Sequence, residues 1–263
     1  MAESMQFAPR KEILSLEELL QVGRALVATG ITKIRITGGE PLIRNNILWL
    51  VEQLGALPEL QELSLSTNGA RLDRYATPLR AAGVKRVNIS LDSLNPERFR
   101  DMTRIGNLQD VLNGIDAAID ADFDAIKLNS VILGQRNDDE ILALTAFALE
   151  KGVDIAFIEE MPLGAITEHD RGELLVSSDT VRHIIQREFP LDASDKSTNG
   201  PSRYYSVRGS NTHVGFISPH SHNFCSTCNR VRVTVEGRLL LCLGNEHSVD
   251  LMRPVLRRSD LQS

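Results

Sequence analysis

Cys225, Cys228 and Cys242 are the only three cysteines in the chain, spaced C-x2-C-x13-C. A disulfide framework needs an even count, and thiolates this close together suit a metal. A closed structural zinc site takes four ligands. One candidate is therefore a Cys3His zinc site completed by His220, His222 or His247. The C-x2-C spacing alone fits an iron–sulfur site as well. A second group of chemistry-bearing residues lies far upstream. Gly38-Gly39-Glu40-Pro41 directly follows an apolar–polar alternation, with Lys33 and Arg35 just before it. Two glycines at the carboxyl end of a strand let backbone approach a ligand closely, although a plain βα turn would look the same. Glu40 could accept hydrogen bonds from an ammonium group.

These residues need elements to position them. SLEELLQVGRALVATG carries a capping box at Ser15 and Glu18, and Leu16, Leu19, Leu20, Leu26 and Val27 share one face. Gly30 is placed to end that helix. Strands are expected at 31–37, 61–66, 84–90, 125–132 and 153–160. Helices are expected near 45–56, 71–82, 96–122 and 138–150. Alternation of this kind means βαβ units and a parallel sheet, either open and doubly wound or closed into a barrel. After Met161 the pattern changes. A helix near 178–188 leads to the polar loop DASDKSTNGPSR, then to short β-like runs, YYSVR, THVGFIS, RVRVTV and RLLLCL. The last two suggest a hairpin turning at Glu236-Gly237. A domain boundary is expected near 190, giving 1–190 and 191–263.

The strands carry an unusual signal. Parallel strands are usually apolar on both faces, but these alternate. Ile34 and Ile36 oppose Lys33, Arg35 and Thr37; Leu63 and Leu65 oppose Ser64 and Ser66; Val87 and Ile89 oppose Asn88 and Ser90; Ile126 and Leu128 oppose Lys127 and Asn129. Helices need the apolar faces. The polar faces then line a shared concavity, or else a one-sided sheet meets water. Lysines and arginines inside a cavity are costly unless paired, so Lys33, Arg35 and Lys127 imply an anionic ligand such as phosphate. Arg35 could equally serve a glutamate.

Composition narrows the classes. The 263 residues are 42% hydrophobic and carry a net charge of −6. A broad nucleic-acid or anionic-membrane surface is excluded, so any anion site must be local. No apolar run is long enough to span a bilayer, and MAESMQFAPRKE has no signal-peptide core. A cytoplasmic setting with reduced thiols is expected. Neither G-x-x-x-x-G-K-[ST] nor G-x-G-x-x-G occurs, so P-loop and Rossmann nucleotide sites are unsupported.

KIRITGGEPLIR, LSLSTNG, VNISLDS, FIEEMPLG and FCSTCNRVRVTVEGRLLLCL, in this order, resemble the GTP 3′,8-cyclase family of radical S-adenosylmethionine enzymes, which act in molybdenum cofactor biosynthesis. The resemblance runs from Met1 to about Arg258. It implies an α/β fold: a partial (βα)6 TIM-like barrel, here without the first strand, closed by a small C-terminal α+β extension. It implies that Gly38, Gly39, Glu40, Ser90 and Met161 surround S-adenosylmethionine. Lys33, Arg35, Ser66, Lys127, Arg230, Val231 and Arg232 would contact GTP, with Arg230 and Arg232 alternating on one strand. Cys225, Cys228 and Cys242 would hold a 4Fe-4S cluster whose open iron faces the guanine.

In that family an adenosyl radical abstracts the ribose C3′ hydrogen, and C3′ then bonds to guanine C8. The product is (8S)-3′,8-cyclo-7,8-dihydroguanosine 5′-triphosphate. An electron donor, a downstream cyclic pyranopterin monophosphate synthase and a homodimer are the partners implied. Arg232 is a speculative hydrogen donor, with phosphate or guanine binding as its alternative. The family's N-terminal C-x3-C-x2-C motif, which holds a second 4Fe-4S cluster, has no counterpart here, and Ala156 stands where the family tends to have arginine. The chain as given is therefore expected to be an incomplete cyclase. The alternative is a non-catalytic homologue that binds GTP or a partner.

Overall fold

A computed structural model of the chain describes residues 13–161, 175–198, 200–222, 228–242 and 248–251. Cys225, His247 and the Pro-Leu-Gly end of FIEEMPLG lie outside the described residues.

Helix α1 (Leu16–Ala28) opens on the expected capping box. Ser15 Oγ accepts from the Glu18 N–H at 3.1 Å, and the Glu18 carboxylate accepts from the Ser15 N–H at 2.7 Å, so two orphan donors are satisfied. Strand and helix then alternate: β1 (Lys33–Ile36), α2 (Ile47–Gly55), β2 (Glu62–Thr67), α3 (Leu72–Ala81), β3 (Val84–Ser90), α4 (Pro96–Thr103), α5 (Leu108–Asp120), β4 (Ala125–Ile132), α6 (Ile141–Lys151) and β5 (Asp154–Glu159). β1 to β5 pair in sequence order and all run parallel.

Residue 190 is no break in this sheet. After α7 (Ser178–Gln186) come β6 (Leu191–Ala193), β7 (Arg203–Val207) and β8 (His213–Ile217). β8 lies parallel against β5; β7 and β6 follow antiparallel, which makes eight strands. β6 runs from Leu191 into the first two residues of the stretch expected to be a polar loop. Its polarity suits an edge strand, where exposed charged residues discourage further pairing; Asp192 pairs with Arg208 at 2.9 Å.

The hairpin at Glu236-Gly237 forms between β9 (Arg232–Val233) and β10 (Arg238–Leu240), with Gly237 in the left-handed region at φ 77°. β11 (Ser248–Asp250), not expected from the sequence, completes a three-stranded antiparallel sheet. β9 begins at Arg232, so Arg230 precedes the strand; the expectation that both arginines alternate along one strand is corrected. Backbone bonds tie this small sheet to the start of the chain. The Leu14 N–H donates to the Val235 carbonyl at 2.7 Å, and Arg44 Nη2 donates to the Leu14 carbonyl at 2.6 Å.

The alternation read from the strands decides the packing. Leu63, Leu65, Val87, Ile89, Leu128, Ile155 and Phe157 are buried in one hydrophobic core under the helices. Close approach of helix to sheet is set at Gly69 and Gly114. Gly69 ends the Ser-Thr-Asn-Gly run at φ 82°. A Cβ on Gly114 of α5 would stand 2.2 Å from the Gly69 carbonyl oxygen, which is backbone and cannot swing aside. Gly114→Ala should therefore cost about 1–3 kcal/mol through overpacking. Gly39→Ala, where a Cβ meets nothing within 4 Å, should stay within about 0.5 kcal/mol of wild type. Urea unfolding midpoints of the two variants check this.

Candidate functional site

The sheet register sets the polar side chains in rows. Lys33 faces Glu62. Arg35 faces Ser64, which faces Arg86. Ser66 faces Asn88, then Lys127, then Asp154. Ser90 faces Asn129, then Ala156. Ser64, Asn88 and Lys127 are buried, so this face does not simply meet water. The Tyr204 hydroxyl of β7 lies 3.3 Å from Lys127 Nζ, although β5 and β8 intervene in the sheet order. The sheet therefore curves toward its polar face, and strands distant in order share one concavity.

The charge in that concavity is mostly positive. Burial lowers the Arg35 pKa, and Arg230 and Arg86 lower it further; Glu62 and Tyr204 oppose them. Burial also lowers Lys127, and Arg35 and Arg86 add to that against the pull of Tyr204. Arg232 is lowered by burial and by Arg230. The Arg230 interaction places the end of the C-terminal cysteine stretch over the cations of β1. Nearby acids are largely engaged elsewhere. Asp154 holds Lys196 Nζ at 2.6 Å and accepts from the His213 N–H at 3.0 Å. Lys33 sits 3.5 Å from Glu62, so of the three expected cations this one has a carboxylate partner. Arg35 Nε reaches Ser64 Oγ only at 3.5 Å. Lys127 is buried while Lys33, Arg35, Arg230 and Arg232 are exposed, and like charges gathered around a buried one suit a polyanion.

Gly38 and Gly39 lie at the carboxyl end of β1, exposed, with open space where side chains would be. The Glu40 side chain is occupied by donors of its own chain: the Leu42 N–H at 2.9 Å, Thr67 Oγ1 at 2.9 Å and the Asn68 N–H at 2.6 Å. It clamps the first βα turn to the end of β2. Its carboxylate is thus already satisfied where an ammonium ligand was expected, and the ligand-facing surface of the turn is backbone.

Ser90 is exposed at the end of β3, and Met161 is half-buried just beyond β5. Two buried polar groups hold these ends in place, and neither stood out in the sequence. Asn137 accepts from the Leu133 N–H at 2.8 Å and donates to the Asp92 and Val131 carbonyls at 2.7 and 2.9 Å. Glu159 accepts from the backbone N–H groups of Ser178, His220 and Ser221 at 2.8, 3.0 and 3.0 Å, and from Ser221 Oγ. These donors outweigh burial and hold its carboxyl below the ordinary range. The pairing of a strand-end Asp or Glu with a distant loop amide leaves no periodic trace in sequence.

Cys228 and Cys242 are both exposed and not disulfide-bonded. The Arg230 N–H and guanidinium hold the Cys228 thiol below its usual pKa, which favours the ligating thiolate. The hairpin pairs Arg232 with Leu240. Among the zinc-ligand candidates, His220 Nε2 lies 2.7 Å from the Glu160 carbonyl and His222 Nε2 3.4 Å from Asp179. Val231 is exposed beside them.

Two family models match. One, described as the Radical SAM superfamily, covers residues 2–148; the other, Molybdenum Cofactor Synthesis C, covers residues 153–263. The chain is 61% identical over 259 residues to a GTP 3′,8-cyclase of Pseudomonas entomophila, covering 98% of this chain and 77% of that protein. It is 56% identical over 257 residues to a GTP 3′,8-cyclase of Saccharophagus degradans, with the same shares, 98% and 77%. In fold it is similar to Streptococcus suis SuiB bound to S-adenosylmethionine. That match has a TM-score of 0.62 at 13% identity and covers 96% of this chain but 58% of that one. Coproporphyrinogen III oxidase of Escherichia coli, a radical SAM enzyme, matches at TM-score 0.50 and 15% identity, covering 81% and 58%.

Asp92, at the mouth of β3, gives a pH test. Burial raises its pKa to about 6, against one bond from the Val131 N–H at 2.8 Å. The fold prefers the protonated form, so this contribution is full below about pH 4 and is lost as pH rises through about 6. Asp92→Asn keeps an acceptor for Val131 and carries no charge. It should be more stable than wild type at pH 8 and indistinguishable at pH 4, as read by urea denaturation across that range.

Proposed function

The chain belongs to the GTP 3′,8-cyclase family of radical SAM proteins, and from that premise we propose that it serves the cyclisation of GTP to (8S)-3′,8-cyclo-7,8-dihydroguanosine 5′-triphosphate. The observation that carries the reading is the cluster of cations on the concave polar face of a parallel sheet: Lys127, which is buried, with Arg35 acting on it and Arg230 acting on Arg35. A triphosphate supplies the charge and the many acceptors such a cluster lacks.

In this reading β1 to β5, with β8, form a partial barrel around the substrate, and the segment from 191 onward closes it. Lys33, Arg35, Lys127, Arg230 and Arg232 bind the phosphates, and Ser66 and Val231 touch the nucleoside. The open backbone of Gly38 and Gly39 suits the methionine end of S-adenosylmethionine, held by the turn that Glu40 clamps. Ser90 and Met161 flank the same cofactor. Cys228, with its thiolate favoured by Arg230, and Cys242 would ligate a 4Fe-4S cluster together with Cys225. Three sulfur ligands leave one iron free for a substrate atom. When bound, S-adenosylmethionine and reduced iron–sulfur clusters supply the radical chemistry. The residues described here orient GTP, keep water from its ribose and neutralise its charge.

A cytoplasmic setting, an electron donor, a pyranopterin synthase downstream and a homodimer belong to the same proposal. Among the described residues no helix is long and apolar enough to cross a membrane.

Anaerobic metal analysis tests the cluster, and nucleotide binding tests the lumen. The reconstituted chain should hold about four irons and four sulfides, lost in Cys228→Ala and in Cys242→Ala. It should bind GTP, and Lys127→Ala should weaken that binding by at least about tenfold, as expected for a lost charge-assisted contact. One zinc with no iron would overturn the cluster, and absence of GTP binding would overturn the substrate.

A further inference from the structure

We propose that Arg86 is a further triphosphate-binding residue of this lumen, and that Glu62 is its resting counter-ion. The inference rests on the reading of the lumen as a GTP site.

Arg86 stands on β3 opposite Ser64, which stands opposite Arg35 on β1. The three lie in one row across the polar face, one row from Lys127. The register between β2 and β3 shifts between Leu63 and Ser64, and this irregularity brings Arg86 rather than Lys85 into the row. Lys85 instead donates outside it, to the Gln61 carbonyl at 2.7 Å.

The guanidinium is poorly satisfied where it lies. The Arg86 side chain is 19% exposed, and its nearest acid is Glu62, with Nη2 to Oε2 at 3.8 Å. That is too long for a hydrogen bond. Nε is shielded from water and meets no acceptor among the described residues. Glu62 faces Lys33 as well, at 3.5 Å, so one carboxylate is shared loosely between two cations. A guanidinium has five N–H donors. Leaving Nε unmet in a shielded place is costly unless an anion arrives nearby. Arg86 also acts on the site's other cations: it is among the groups that lower the pKa values of Arg35 and Lys127. A planar fork aimed into a shared cationic lumen matches phosphate geometry.

The competing account makes Arg86 a structural partner of Glu62 and nothing more. The two differ in what removal does. Calorimetric binding of GTP, tripolyphosphate and guanosine to the anaerobically reconstituted full chain separates them. Arg86→Gln should weaken GTP and tripolyphosphate about tenfold and leave guanosine within twofold. Glu62→Gln, which frees both cations, should tighten GTP about threefold or more.

If Arg86→Gln leaves GTP binding unchanged while Lys127→Ala weakens it, the inference on Arg86 fails and the reading of the site stands. If Arg35→Ala and Lys127→Ala also leave GTP unchanged, the site reading itself fails. Equal loss for guanosine and GTP would mark Arg86 as structural. Should Arg86→Gln not fold, Glu62→Gln decides alone: tighter GTP supports the inference and unchanged GTP overturns it.

Discussion

Like charges gathered on one polar face are the constraint from which the rest of this structure follows. Arg35 is opposed by Arg86 and Arg230, and Lys127 by Arg35 and Arg86. Two unit charges about 6 Å apart repel by roughly 3 kcal/mol at an effective dielectric near 20. A fold only some 5–15 kcal/mol stable cannot carry several such terms without compensation. The compensation is visible. Glu62 sits between Lys33 and Arg86. Tyr204 touches Lys127, with its hydroxyl held below the usual pKa because Lys127, Thr198 and Ser202 together outweigh burial. These counter-groups are weak and shared, so the lumen is organised yet still short of negative charge. In the proposed reading, a triphosphate makes up that shortage.

The opposite face of the same strands carries the stability. Leu63, Leu65, Val87, Ile89 and Leu128 are shut away from water, each contributing about 1.5–3 kcal/mol on burial. Each of β1 to β4 thus divides its residues between an apolar face that stabilises and a polar face that lines the concavity. The division is possible only because the sheet curves. Flat and doubly covered, it would need apolar residues on both sides.

That division was legible before any coordinates, because a period of two is a strong signal and it recurred in four successive strands. The helices were legible from their caps and periodicity, as at Ser15 and Glu18. Other features were not, each for a physical reason. β6 and β11 are three-residue strands, too short for any period to show. Their identity comes from pairing partners distant in sequence. The continuity of the sheet past residue 190 depends on β8 docking on β5, a long-range choice that composition does not encode; the Pro and Gly punctuation of that region marks a loop but not a domain edge. Arg230 was placed on a strand because it alternates with Arg232, whereas pairing begins only at Arg232. Arg86 shares the parity of Asn88 and Ser90, so alternation puts it on the polar face; what the sequence does not show is the register shift that sets it opposite Ser64, in the row of Arg35.

Glu40 shows how a motif can be legible in place and misleading in role. Its position beside two glycines suggests a ligand-binding carboxylate. In the structure three donors of the chain itself saturate that carboxylate, and the exposed part of the turn is glycine backbone. The two features need each other. A turn with two glycines has little steric reason to hold one shape, and a backbone surface can recognise a ligand only if it is already held in the binding geometry. Anchoring Glu40 to Thr67 and Asn68, at the end of the neighbouring strand, gives that turn a fixed shape without placing a side chain in the way. The acidic residue of the motif therefore acts through the backbone it fixes. The same logic holds at the end of β5, inside the sheet, where Glu159 gathers the amides of Ser178, His220 and Ser221. At both places a carboxylate beyond or at a strand's carboxyl end organises neighbouring loop backbone.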